Sequence, residues 1–234
     1  SAPPPTRDTA STQDAGASGR LTSLMKTVES KLSAGQVAEA HLLLSSLYDD
    51  PQVPPEQARQ ITRLLDQMAA SVVYSRQHLL EQPYRVRPGD TLDRIAESYS
   101  VPPQLLAKIN GIRDPRNLTP GRELKVVRGP FSALIDLNRR ELTLMVQGRY
   151  AGRFPIDLGH DAAVAPGTYM VRDKKDDRAT GRDPIAGYAG SFWISLGGPV
   201  AISDRNRGSV ALGDRDLEDV FGILSVGSRV VIQR

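Results

Sequence analysis

The chain has no cysteine among its 234 residues. That absence excludes disulfides, thiolate zinc sites and a cysteine nucleophile, without fixing a redox compartment. Histidine is almost as scarce, so any imidazole chemistry rests on three residues, His41, His78 and His160. No apolar run approaches the roughly eighteen residues that a bilayer span needs, and the opening Ser1-Ala2-Pro3-Pro4-Pro5 lacks the basic and apolar segments of a signal peptide. Any export signal is therefore expected to have been removed or to lie outside this chain. Aromatic residues are only 5% of the total and are not interleaved with basic ones, so a net charge of +3 does not point to nucleic acid. So small an excess suits an anionic polymer such as an acidic envelope but names no partner. No phosphate loop, dinucleotide fingerprint or metal-ligand cluster occurs, and no cofactor or metal is expected.

What is present divides into four regions. From Ser1 to Gly19 the aliphatic side chains are alanine and proline, too little apolar surface to offset the entropy of ordering, and the segment reads as a disordered tether over 1–19. Helical spacing then begins. Leu21, Leu24, Met25, Val28 and Leu32 recur at steps of three and four until Gly35; Val37, Ala40, Leu44, Leu47 and Tyr48 mark a second helix ended by Pro51; Pro54-Pro55 opens a third that carries Ala58, Ile61, Leu65, Met68 and Val72. Residues 20–82 resemble one tetratricopeptide-type hairpin with an added long helix. One such unit cannot cover its own apolar face, so these helices are expected to pack on the rest of the chain or on an envelope protein. His41 and His78 read as ordinary surface or packing residues.

The third region, 83–128, runs strand, helix, helix, strand. Tyr84-Arg85-Val86 is a strand, Pro88-Gly89 a turn, Asp90 a helix cap with Asp93 adding favourable charge in the first turn, and Pro102-Pro103 opens a second helix that stops at Asn110-Gly111 before a returning strand from Glu123 to Val127. The motifs Tyr84-x-Val-x-Pro-Gly-Asp-Thr-Leu-x-x-Ile-Ala, Val101 through Asn110-Gly111-Ile112, and Leu118-x-Pro-Gly-x-x-Leu resemble a LysM domain. The resemblance implies recognition of N-acetylglucosamine-containing glycan of peptidoglycan or chitin. The groove would be formed by Gly89, Asp90, Thr91 and Leu92 on one side and Asn110, Gly111 and Ile112 on the other, with Leu92 or Ile112 against the apolar face of the sugar.

The remaining region, 129–234, is mostly strands. Ala133, Ile135 and Leu137 alternate, as do Leu142, Leu144 and Val146; further strands are expected at Tyr150 to Leu158, Thr168 to Arg172, Phe192 to Leu196, Val200 to Ile202 and Arg229 to Gln233, with a helix from Asp214 to about Leu224. Charge and glycine from Asp173 to Gly190 read as a mobile loop or lid. The hairpin from Phe131 to Leu144, the strand Tyr150-Ala151-Gly152-Arg153-Phe154, the turn Ala165-Pro166-Gly167-Thr168-Tyr169 and the ending Asp216 to Ile232 resemble the YkuD-type L,D-transpeptidase domain. The whole chain is thus expected to be a multidomain α+β protein: a helical hairpin region, a βααβ LysM module and a β-rich sandwich or half-barrel.

The resemblance implies a peptidoglycan crosslinking domain in which a cysteine in a Ser-His-Gly-Cys-Ile-Arg motif attacks a stem-peptide amide and an upstream histidine is the base. Gly208 stands at the motif's glycine, Ser209 at the cysteine, Val210 at the isoleucine, Ala211 at the arginine and Arg207 at the histidine, while Ser203 stands at the upstream base. An alcohol is a weak nucleophile unless a positioned base removes its proton. His160 is the one histidine in this region, and only a fold that brings it to Ser209 would make a Ser–His pair. A deliberate cysteine-to-serine replacement would explain Ser209 but neither the missing histidine nor Ala211. The expectation is therefore an inactive, peptidoglycan-binding envelope protein, the alternative an active transpeptidase or peptidase that uses Ser209.

Overall fold

The computed structural model describes residues 10–159, 164–176, 192–204 and 208–234, with side chains from residue 19 onward. His160, Asp177 and Arg207 lie outside the described residues.

The first helix, α1 (Ala10–Ser33), starts well inside the segment expected to be a tether. Alanine at positions 10, 15 and 17 carries the highest intrinsic helix propensity, and extending an existing helix needs no new nucleus. Helix α2 (Val37–Ser45) folds back on it, and α3 (Pro55–Ala69), with proline in its first turn, runs into a π-helical turn over Ala70–Tyr74.

The apolar face of this layer is covered by the chain itself. Leu44, Ile61, Leu65 and Met68 form one cluster with Tyr150 and Met145. The tyrosine hydroxyls seal the junction: Tyr48 bonds Glu141 at 2.9 Å and Thr143 at 2.7 Å, Tyr74 donates to the Ala151 carbonyl at 2.6 Å, and Tyr150 donates to Asp66.

Next comes a module of β1 (Tyr84–Arg85), α4 (Leu92–Ser98), α5 (Pro103–Asn110) and β2 (Glu123–Leu124), with β1 and β2 antiparallel. The expected order is present, but the cap of α4 is Thr91, whose hydroxyl accepts the Arg94 amide at 3.3 Å. Asp90 instead holds the preceding turn, accepting the Arg87 amide at 2.7 Å and the Tyr84 hydroxyl at 2.8 Å. Both residue types cap helices, and the sequence does not say which of two adjacent ones reaches the free amides.

The C-terminal part contains ten strands among the described residues. One five-stranded sheet is formed by β3 (Phe131–Asp136), β4 (Glu141–Val146), β5 (Arg149–Pro155), β7 (Gly167–Met170) and β12 (Arg229–Gln233), in the order β5-β4-β3-β12-β7. The other holds β6 (Asp157–Leu158), β8 (Asp173–Asp176), β9 (Phe192–Gly197), β10 (Val200–Ser203) and β11 (Val210–Ala211), in the order β6-β11-β10-β9-β8. Helix α6 (Asp214–Ile223) packs on this second sheet against β9.

Two expectations are corrected here. The single strand from Tyr150 to Leu158 is two, broken at Ile156, so that the chain crosses from one sheet to the other. The expected lid beginning at Asp173 starts as strand β8, because Lys174 turns inward: its ammonium donates to the Phe221 and Leu224 carbonyls at the end of α6 and lies 4.2 Å from the centre of the Phe221 ring. Its alkyl stem fills the place of an apolar residue in the alternation.

Residues opposite in sense along β4 serve different layers. Leu142 and Leu144 join a core that continues through Ile135, Ile194, Ile202, Val230 and Leu217 into Leu106, Ile109 and Leu124 of the βααβ module, while Thr143 and Met145 face the helices.

Candidate functional site

Ser209 precedes β11, a short strand that pairs parallel to β10 and antiparallel to β6. Its hydroxyl donates to the Pro199 carbonyl at 2.8 Å and receives the Ala201 amide at 3.4 Å, so both partners of Oγ are backbone groups. Ser203 is not its neighbour in the ladder. The register sets Ser203 opposite Ala211 and Ile202 opposite Val210, and the buried Ser203 hydroxyl donates to the Phe192 carbonyl at 2.6 Å. The side chain beside the nucleophile position is thus that of Ala201, which carries nothing to titrate. Ala211, at the motif's arginine, is buried in β11.

The turn before Ser209 is close-packed. Gly208 donates its amide to the Asp204 carbonyl at 3.0 Å, and Gly159 donates to the Ser209 carbonyl at 3.1 Å. A Cβ on Gly159 would lie 2.2 Å from the Gly208 carbonyl oxygen, so only glycine permits this approach. The chain segment that leads into His160 therefore departs from beside Ser209.

The expected glycan groove is placed on the loops around α4 and α5, and its seven residues divide by availability. Leu92 is 1% exposed and belongs to the core. Asn110 is buried: its side-chain amide donates to the carbonyls of Leu106 at 2.9 Å and Lys125 at 2.8 Å, and its Oδ1 accepts the Lys125 amide at 2.7 Å. These contacts give Asn110 a structural role in fixing the loop to β2. Asp90 and Thr91 are occupied as described above. Gly89 and Gly111 have positive φ, and a Cβ on Gly111 would lie 2.2 Å from a guanidinium nitrogen of Arg76. Ile112 is half-buried and offers apolar surface for a sugar.

Lys125 was not foreseen in any role. Its side chain is buried, and its ammonium donates to the Val72 carbonyl at 2.9 Å and to the Gln77 carbonyl, tying β2 to the end of the helical layer. Burial pushes the amine down to about 8. His41 is also buried, with no hydrogen-bond partner for either ring nitrogen, and burial together with the Arg149 charge lowers its titration to about 4. Neither signal exists in one dimension, since both depend on which segments pack around the residue.

A cleft of about 1310 Å³ runs between the βααβ module, α3, β5 and α6. Leu92 and Ile112 line it on one side and α6 on the other, and Lys108 of α5 pairs with Asp219 of α6. Neither Ser203 nor Ser209 lines it.

The LysM domain model matches residues 84–127, the whole βααβ segment. This segment is a LysM domain. Over the remainder, two curated relatives carry the name L,D-transpeptidase YkuD. The one from Bacillus licheniformis is 25% identical over 167 residues, covering 64% of this chain and 97% of its own length. The one from Bacillus subtilis is 25% identical over 170 residues, covering 64% and 98%. The chain therefore joins a LysM domain to a YkuD-type L,D-transpeptidase homologue. Among solved structures, L,D-transpeptidase 1 of Mycobacterium tuberculosis is 17% identical with a TM-score of 0.33, covering 44% of this chain and 60% of that one. The L,D-transpeptidase of Stackebrandtia nassauensis is 14% identical with a TM-score of 0.37, covering 46% and 57%. This chain thus spans somewhat under two thirds of the solved proteins it matches.

Proposed function

We propose that this is a peptidoglycan-binding protein of the bacterial cell envelope, in which the LysM domain holds N-acetylglucosamine-containing glycan and the transpeptidase-like domain performs no acyl transfer. The observation that carries the second half is the environment of Ser209. Its proton points at the Pro199 carbonyl, which cannot act as a general base, and the adjoining strand presents Ala201. A nucleophilic hydroxyl needs a base within hydrogen-bond reach and donors for the oxyanion in register with it. The chain also supplies no sulfur for the thiolate that the family resemblance requires. No helix among the described residues is long and apolar enough to cross a membrane, so retention at the wall rests on the glycan.

One observation favours the alternative, a Ser209 nucleophile with His160 as base: the Gly159 amide bonds the Ser209 carbonyl, so the intervening chain to His160 is short. The two readings separate by mass spectrometry of the intact chain after incubation with a carbapenem or a tetrapeptide muropeptide. Unchanged mass is expected; an acyl adduct at Ser209 would establish the alternative. Retention on purified sacculi tests the glycan half independently, and a chain that stays in the supernatant refutes it.

A further inference from the structure

We propose that the cleft between the LysM domain and α6 is a composite site that takes the stem peptide borne by the same glycan strand whose sugars lie at the LysM loops. This rests on the glycan-binding reading above and extends it from the sugar to the peptide.

The first observation is continuity. Ile112, the exposed apolar member of the glycan loop, lines this cleft, and Arg113 follows it immediately, so a ligand leaving the loop enters the space bounded by β5 and α6. The second is size. About 1310 Å³ exceeds the ~300–1000 Å³ of a pocket for one small molecule, so the space holds more than a sugar unit.

The third is charge. Arg113 on one wall and Arg215, in the first turn of α6, on the other line the cleft, and neither has an ion-pair partner among the described residues. Asp93, on α4, lines it likewise without a partner. Arg153 and Lys108 also line it but are already paired, with Asp66 and Glu141 and with Asp219. A neutral sugar chain has no charge to set against two free guanidinium groups. A stem peptide has free carboxylates for the arginines, which recognise that group bidentately, and an amine for Asp93.

The fourth is backbone. Strand β5 is an edge of its sheet and lines the cleft through Ala151 to Phe154, so an extended peptide would find unpaired main-chain groups beside the half-buried Phe154 ring.

The test is isothermal titration of the full chain with three probes: the wall disaccharide alone, the same disaccharide carrying its tetrapeptide, and the free tetrapeptide. We expect the peptide-bearing disaccharide to bind at least tenfold more tightly than the bare one. Arg215→Glu removes that gain and leaves affinity for the bare disaccharide unchanged. This variant places an acid in the first turn of α6, where the helix dipole favours it, so folding is retained; Arg215→Ala, with a smaller loss in the same direction, controls for repulsion. Equal affinity for the two disaccharides, or a gain that survives Arg215→Glu, overturns the composite site while leaving glycan binding intact. If neither disaccharide binds, the glycan reading fails, and the composite site fails with it unless the free tetrapeptide binds in an Arg215-dependent manner.

Discussion

At the scale of single residues, the most informative side chains are those whose polar atoms are committed or left without partners. Ser209 is committed. Replacing it with alanine strips the Pro199 carbonyl of its donor, which should lower stability by about 1 kcal/mol, the net worth of a typical buried hydrogen bond. Urea denaturation should register that shift while retention on sacculi stays the same, and muropeptide profiles should be identical for wild type and Ser209→Ala. Crosslink turnover by the wild type that disappears in the variant would contradict the inactive reading. His41 is the opposite case, a buried imidazole facing the Arg149 charge with both nitrogens unpaired. It titrates near 4 in the folded chain against 6.5 when unfolded, so on acidification the unfolded chain takes the proton first. Stability should therefore be flat above about pH 6.5 with respect to this group, and should decline as pH falls toward about 4, by an amount on the order of 2–3 kcal/mol. In His41→Leu the unpaired ring nitrogens are gone and that acid limb should flatten; a limb of unchanged slope would assign it to other groups.

At the scale of elements, two helix ends are closed by lysines from other segments rather than by their own caps. Lys125 donates to carbonyls at the end of the helical layer and Lys174 to those at the end of α6. Lys125→Met keeps most of the stem but leaves the Val72 and Gln77 carbonyls unpaired, an expected loss of about 1–3 kcal/mol that thermal melts should show. A variant as stable as the wild type would mean that water replaces the ammonium without loss. The α5 terminus behaves differently: Gly111 is its left-handed residue, and Gly111→Ala combines strained φ with displacement of Arg76, for an expected loss of about 1–2 kcal/mol.

These elements also mark what could be read from the chain. The strands β3, β4 and β12 and the helices α3, α5 and α6 follow alternation, proline starts and glycine stops, signals that are local. Strand β8 was hidden because a lysine stem stood in for an apolar residue. The break between β5 and β6 was hidden because a change of sheet leaves the alternation unmarked. The nucleophile position was legible from its flanking residues, but its neighbour was not: strand register, not sequence interval, sets Ala201 rather than Ser203 beside Ser209. The cleft between the LysM domain and α6 had no linear signature, since its walls come from four separated segments.

At the scale of the whole molecule, the parts do not have separate cores. One continuous set of buried side chains runs from Val73 through Leu106, Ile109 and Leu124 of the LysM domain to Phe131, Ile135 and Ile232 of the β-rich part, and Tyr150 of that part lies in the core of the helical layer. Removing the helices would uncover Tyr150 and Met145, and removing the LysM domain would uncover Val73 and the face of α6. A chain assembled from independent modules would melt in steps, whereas a shared core couples them, because opening one part exposes apolar surface of the next. Differential scanning calorimetry of the full chain should therefore give one transition with equal calorimetric and van't Hoff enthalpies. Ile109→Ala, a core truncation inside the LysM domain expected to remove about 2–5 kcal/mol, should lower that single transition as a whole. If instead the variant splits off an early LysM transition and the β-rich part melts at its original temperature, the modules are independent and the composite cleft loses the rigid walls it depends on.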